Sequence, residues 1–194
     1  LLQLPPLFRL LQKTLRKKGE ITVSVFCDLH THVLWELDDG ADNIETTRDM
    51  LRKMHEDGIT HVACTPHADP GYRPFDIGLY TERLNEAQEW ANTALPGLVL
   101  LSGAEITWTY HTAEALRKKQ VPSLNGTHYV LIEFAPNISY SDLRGAIYKL
   151  SAIGITPVIA HAERIRCILW HPKRAIQLKN ELPVHYQMNA GVLL

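Results

Sequence analysis

From residue 20 onward, short and nearly continuous apolar runs alternate with stretches in which apolar residues recur every three or four positions. The runs are ITVSVF (21–26), THVACT (60–65), LVLLSGAEI (98–106), YVLIEF (129–134), TPVIAH (156–161) and VHYQMNA (184–190), and they predict six strands. The stretches between them predict helices over 44–58, 79–91, 112–120, 141–153 and 172–179. Asp42 and Glu45 are spaced as a capping box for the first of these, and Gly58 as its stop. Apolar strands separated by helices predict an α/β fold with a parallel sheet covered on its outer face, because such strands must be buried on both sides. A barrel and a doubly wound sheet both satisfy the pattern.

Residues 1–24 stand apart from this alternation. Leu4, Leu7, Phe8, Leu11 and Leu15 recur at helical spacing, and 1–19 carry five basic residues and no acidic one. They predict a basic amphipathic extension lying on the surface of the domain formed by 25–194. A membrane-surface helix is the other reading. The positive charges follow the apolar residues, whereas in a secretory signal they precede them. The chain does not begin with Met, which reads as a fragment at this end.

The polar residues among the strands carry the chemistry. In DLHTH (28–32), His30 and His32 are two apart, so an extended chain points both imidazoles to one face and Thr31 to the other. His67 ends the second strand in CTPH, Glu105 the third in SGAEI, Glu133 the fourth in VLIEF and His161 the fifth in VIAH. Each alone could be a satisfied core residue. Together they place six ligand-type side chains at the C-terminal ends of five successive strands, where βα loops converge. A carboxylate inside so apolar a run as VLIEF needs a partner or a cation. The reading is a metal site. His55, His61, His111, His128, His171 and His185 lack this placement and read as ordinary histidines.

Composition changes the picture little. With 194 residues, 45% hydrophobic and 21% charged, the chain can bury one sizeable core, and a net charge of −1 gives no reason to expect a nucleic-acid partner. No stretch has the apolar length of a transmembrane helix. Three scattered cysteines, Cys27, Cys64 and Cys167, argue against a disulfide framework and for a reducing, cytoplasmic setting. They also exclude a cysteine phosphatase, which needs an arginine six positions on. Val33, Pro70 and Lys173 occupy those positions.

Imidazole and carboxylate without thiolate suit Mn, Zn or Fe, and four histidines with two glutamates exceed what one ion uses. Two or three bridged ions would clamp the attacking and leaving oxygens of a phosphoester hydrolysis. In order and spacing, DLHTH, DDGAD, CTPH, SGAEI, YVLIEF and GITPVIAHAER resemble the bacterial metal-dependent tyrosine-protein phosphatases of the PHP (polymerase and histidinol phosphatase) superfamily, over roughly 26–191. The resemblance implies a distorted (βα)7 barrel, of which about six strands lie in this chain, and a manganese centre of up to three ions. His30, His32, His67, Glu105, Glu133 and His161 match the family's metal ligands, and Arg164 matches an arginine that holds the substrate phosphate. The implied substrate is phosphotyrosine on a tyrosine autokinase of capsule and exopolysaccharide export. A metal-activated water would then attack phosphorus in line. Asp38 and Asp39 follow the His-x-His pair, and each could act as an acid or behind a ligand. Asp39 is the candidate catalytic residue, although a simple turn at DDG explains both equally well.

The family's last strand brings an Asp-x-His pair and a further arginine, and neither follows His161 here. A truncated domain is therefore expected, with fewer or weaker ions, low activity and an open edge that could pair with another chain. Gln187 and Asn189 are the residues at hand to fill vacant coordination positions. Three alternatives remain: another phosphoesterase of the superfamily, such as a histidinol-phosphate phosphatase; an amidohydrolase, for which no bridging lysine is marked; and a non-catalytic metal-binding module.

Overall fold

A computed structural model describes residues 26–189. The predicted extension over 1–24, and most of the strand predicted over 21–26, lie outside the described residues. Strand β1 (Phe26–Thr31) instead contains the first histidine of the pair. It is followed by helix α1 (Ile44–Glu56), β2 (Ile59–Cys64), β3 (His67–Ala68), α2 (Ile77–Ala94), β4 (Val99–Ser102) and β5 (Glu105–Thr107). The chain continues through α3 (Thr112–Arg117), β6 (Tyr129–Glu133), α4 (Tyr140–Ala152), β7 (Thr156–Ile159), α5 (Arg166–Leu169), α6 (Lys173–Glu181) and β8 (His185–Tyr186). The short helix α5 was not foreseen.

All pairings among the described residues are parallel. One sheet has the order β1-β2-β4 and the other β3-β5-β6-β7-β8. The predicted second and third strands each break in two, and both breaks have a physical cause. Pro66 supplies no N–H to a ladder. At Gly103, a Cβ would sit 3.0 Å from side-chain atoms of both Leu124 and Thr65, so any larger residue would have to push them aside. The Tyr80 hydroxyl bridges the gap, accepting from the Gly103 N–H (2.7 Å) and donating to the Cys64 carbonyl (3.1 Å). The backbone groups freed at the break are thus satisfied.

Alternate positions pack on opposite faces, as strand geometry requires. Val130, Ile132 and Ile159 join Leu143, Ile147 and Leu150 of α4 beneath the helices, whereas Tyr129, Leu131 and Val158 meet Ala63 and Leu124 on the other face. A second helix-side core gathers Leu51 of α1, Val62 of β2 and Ala87 and Ala91 of α2. Asn43, rather than Asp42, caps α1: it lies in extended backbone and its side chain accepts from the Thr46 N–H at 3.0 Å. Glu45 turns away from the cap to pair with Arg48.

Candidate metal centre

Glu105 is 1% exposed and sits among four imidazoles. His161 Nε2 lies 2.8 Å from its Oε1, and His30 Nε2, His32 Nε2 and His67 Nδ1 lie 3.1, 3.2 and 3.4 Å from its Oε2. Glu133 Oε1 approaches His161 Nε2 at 3.4 Å. All six residues predicted as ligands therefore meet at one end of the sheets. They occupy different local positions from those expected, since His67 and Glu105 open the short strands after the two breaks.

Several local devices aim these side chains. In β1, Asp28 pairs with Val62 and Thr31 with Cys64, so three steps along β1 match two along β2. This bulge re-aims His30, and the Asp28 carboxylate accepts the His30 N–H at 3.0 Å. Thr31, on the opposite face, ties β1 down by donating to the Ala63 carbonyl at 2.9 Å and taking a bond from the Thr65 N–H at 2.8 Å. His161 adopts left-handed backbone (φ 31°) immediately after β7. The side-chain oxygen of Gln187 accepts the His161 N–H at 2.7 Å and lies 3.1 Å from His30 Nδ1. Gln187 thus acts behind two candidate ligands, and its Nε2 donates to the Asn189 side chain at 3.1 Å.

Asp38 is the residue whose work the sequence left open. Its side chain is 3% exposed and accepts from His32 Nδ1 (2.6 Å), the His67 N–H (2.8 Å) and the Gly40 N–H (3.0 Å). Burial opposes its charge, but these bonds hold its carboxyl below the ordinary range. Asp39 is 82% exposed and stands 3.6 Å from His67 Nε2. Arg164 lies on the exposed turn after His161, its N–H donating to the His161 carbonyl at 2.8 Å.

The donor set fits cations. The Nδ1 protons of His30 and His32 are taken by Gln187 and Asp38, so both Nε2 lone pairs face Glu105, 3.3 Å from each other. Lone pairs facing a carboxylate need a proton or a metal between them. Burial alone would lower His32, yet Asp38 and Glu105 push it up to about 10. Bonds to Glu105 and Glu133 raise His161 to about 9. Burial disfavours the Glu105 charge, but His161, His30 and His32 hold its carboxyl far below the usual range. The Nδ1 atom of His161 is buried without a hydrogen-bond partner. Three overlapping groups have ligand atoms within 4.8 Å of one another: His32, Asp38, Asp39 and His67; His30, His32 and Glu105; and Glu105, Glu133 and His161.

Asp38→Asn should weaken metal binding about 10- to 100-fold, because a ligand loses the group that fixes its tautomer and ring orientation. Asp39→Asn, at an exposed carboxylate, should change it far less. Metal titration of the two variants checks the contrast, and equal effects would contradict the assignment of Asp38 as the supporting group.

The chain matches the model of the family described as "Capsular polysaccharide synthesis, CpsB/CapC" over residues 26–194. It is 32% identical over 151 residues to the tyrosine-protein phosphatase CpsB of Streptococcus pneumoniae, covering 78% of this chain and 62% of that one. It is 32% identical over 145 residues to the tyrosine-protein phosphatase YwqE of Bacillus subtilis, covering 75% and 57%. Among solved structures, it matches a chain from crystal structures of YwqE and CpsB, described as metal-dependent tyrosine phosphatases. That match has a TM-score of 0.76 and 30% identity, and covers 87% of this chain and 68% of the other. The chain belongs to the CpsB/CapC family of capsular polysaccharide synthesis.

Proposed function

We propose that this protein is a metal-dependent phosphatase acting on phosphotyrosine in a protein substrate, a tyrosine autokinase of polysaccharide export in the cytoplasm. The observation that carries the reading is the convergence of four imidazoles on buried Glu105, joined by Glu133, in a chain whose relatives are named tyrosine phosphatases. His30, His32, His67, Glu105, Glu133 and His161 would hold two or three ions. Manganese is the first choice on the nitrogen and oxygen donor set, with iron or zinc the alternatives. Bound ions would supply Lewis-acid neutralisation of the phosphoryl oxygens and an activated water.

The chain's own residues do the rest. Asp38 and Gln187 keep the Nε2 atoms of His32 and His30 turned toward the centre. Arg164 binds the phosphate oxygens through its fork of donors, which cannot serve as metal ligands because the group does not lose its proton. Asp39, exposed at the mouth, is the candidate for assisting the departing phenolate oxygen. The need is small, since phenol has a pKa of about 10. The scaffold is a distorted barrel in this reading. Its strands pair in the orders β1-β2-β4 and β3-β5-β6-β7-β8, with β3 and β5 following β2 and β4 past the breaks, and Gln187 beyond β8 reaches back to His30 of β1.

Phosphate release from a phosphotyrosine peptide, with and without added Mn2+, tests the reading, with histidinol phosphate as the control substrate. Metal-dependent release from the peptide alone is expected. Turnover of histidinol phosphate instead would assign another phosphoesterase, and metal binding without any turnover would assign a binding module. Arg164→Ala should keep its metal content while losing about 100-fold or more in turnover, the scale for removing a donor aimed at developing charge. Loss of metal by elemental analysis would overturn that division of roles.

A further inference from the structure

A groove of about 660 Å3 runs between the loop at 70–77 and helix α3. The loop rises from β3 beyond His67, and the helix follows β5 beyond Glu105, so both walls leave the same end of the sheets as the metal centre. A cleft of about 500 Å3 lined by Asp38, Asp39 and His67 opens at the mouth of that centre. Arg73 lines both this cleft and the groove. The guanidinium is held against Asp69, whose carboxylate is in turn fixed by the Thr107 hydroxyl at 2.7 Å. Arg73 therefore stands between cleft and groove.

The groove has an apolar wall and a basic far end. Tyr72, Phe75 and Ile77 line one side, and Tyr72 is 80% exposed. Arg73, Lys118 and Lys119 supply three cations against one lining carboxylate, Glu114, which Lys118 meets at 2.7 Å. Lys119 is the unusual member. Helix α3 ends in a Schellman motif, with Gln120 N–H bonded to the Ala115 carbonyl (2.9 Å) and Lys119 N–H to the Leu116 carbonyl (3.1 Å). The residue at the turning position takes a left-handed conformation, φ 54°, where glycine is the unstrained choice. A lysine is kept there against backbone preference, as strained residues often are at binding sites. Of the four non-glycine residues with positive φ among the described residues, two others, Glu36 and His161, border the metal centre and its cleft.

We propose that this groove binds the polypeptide flanking the phosphotyrosine and selects segments that carry acidic side chains beside an aromatic or large apolar one. The proposal rests on the phosphatase reading for its substrate and adds the sequence that is recognised. The six residues of α3 span about 9 Å. At about 3.3 Å per extended residue, a peptide segment of about three residues spans that length.

Binding of fluorescent tyrosine peptides to the full chain, read by anisotropy, tests the groove without requiring chemistry. One peptide carries aspartate and phenylalanine beside the tyrosine, and a second carries serine in their place. The acidic peptide should bind more tightly, and Lys118→Glu with Lys119→Glu should weaken it about tenfold while leaving the serine peptide little changed. Lys119→Gly separates recognition from folding. It should raise the melting temperature by relieving the left-handed strain, and at the same time weaken the acidic peptide. Equal binding of the two peptides by the unmodified protein, or undiminished acidic binding by the variants, would overturn the proposal. If peptide binding follows the expected pattern and phosphate is never released from the phosphorylated form, the groove stands and the phosphatase reading falls.

Discussion

Glu105→Gln should empty the centre of metal and lower turnover by at least about a thousandfold, since several kcal/mol of transition-state stabilisation would leave with the ions. Glu105 is the one carboxylate that all four imidazoles approach, between 2.8 and 3.4 Å. Glutamine fills the same volume but brings no charge, so neither a cation nor a proton shared with the imidazoles is compensated. Without metal, the variant should also lose about 1.5–3 kcal/mol of stability, the scale for a buried hydrogen bond to a charged group. The imidazoles can shed their protons, which keeps the loss from growing larger. Elemental analysis, initial rates and a thermal melt measure the three effects. Retention of metal at normal affinity would show that Glu105 balances protons rather than ions.

Gly40→Ala is expected to be nearly as damaging, although residue 40 touches no substrate. A Cβ there would lie 2.1 Å from the His32 carbonyl oxygen and 2.5 Å from the His32 Cβ. Neither atom can swing aside as the tip of a flexible side chain could. The loop must move, and with it Asp38, whose carboxylate accepts the Gly40 N–H. Overpacking of this kind costs about 1–3 kcal/mol or more, and metal affinity should fall together with stability. Gly58→Ala is the control. Its φ is +86° but no atom lies within 4 Å of the added methyl, so strain alone should be felt, about 1 kcal/mol, with metal binding untouched. If Gly40→Ala melts like the parent protein and binds metal normally, the packing of the DDG turn against His32 is not the constraint.

The candidate ligand set was readable because chemistry and periodicity agree. A glutamate in YVLIEF or a histidine in TPVIAH contradicts its apolar surroundings, and such contradictions fall at one end of successive strands. What was not legible is whatever depends on through-space neighbours. The breaks that turn two predicted strands into four arise where Tyr80, from the intervening helix, inserts its hydroxyl between Cys64 and Gly103. Nothing local to LVLLSGAEI announces that partner, although Gly103 hints at a close approach. Asp38 and Asp39 are equivalent as letters, and only the fold buries one and exposes the other. Asp28 was visible within the motif. Its bond to the His30 N–H follows from a bulge set by pairing with β2, which spacing cannot show. The lysine at 119 was read inside a helix, because the cue that normally ends one, a glycine, is missing from that turn.

The bond between His30 and Gln187 joins residues 157 positions apart. Most strand pairings here link neighbours in the chain and can form progressively during synthesis, because each loop to be closed is modest. The centre is different, because it draws His30 and His32 from the first described strand and His161 from the far side of the sheet. A nascent chain must therefore have extended past residue 187 before these groups can all meet. Under the proposed metal reading, a bound cation then acts on a late stage of folding, favouring the folded state by mass action and leaving earlier intermediates unaided. On the same reading, the supply of the cation sets how much of this protein persists in folded form, as well as how fast it works.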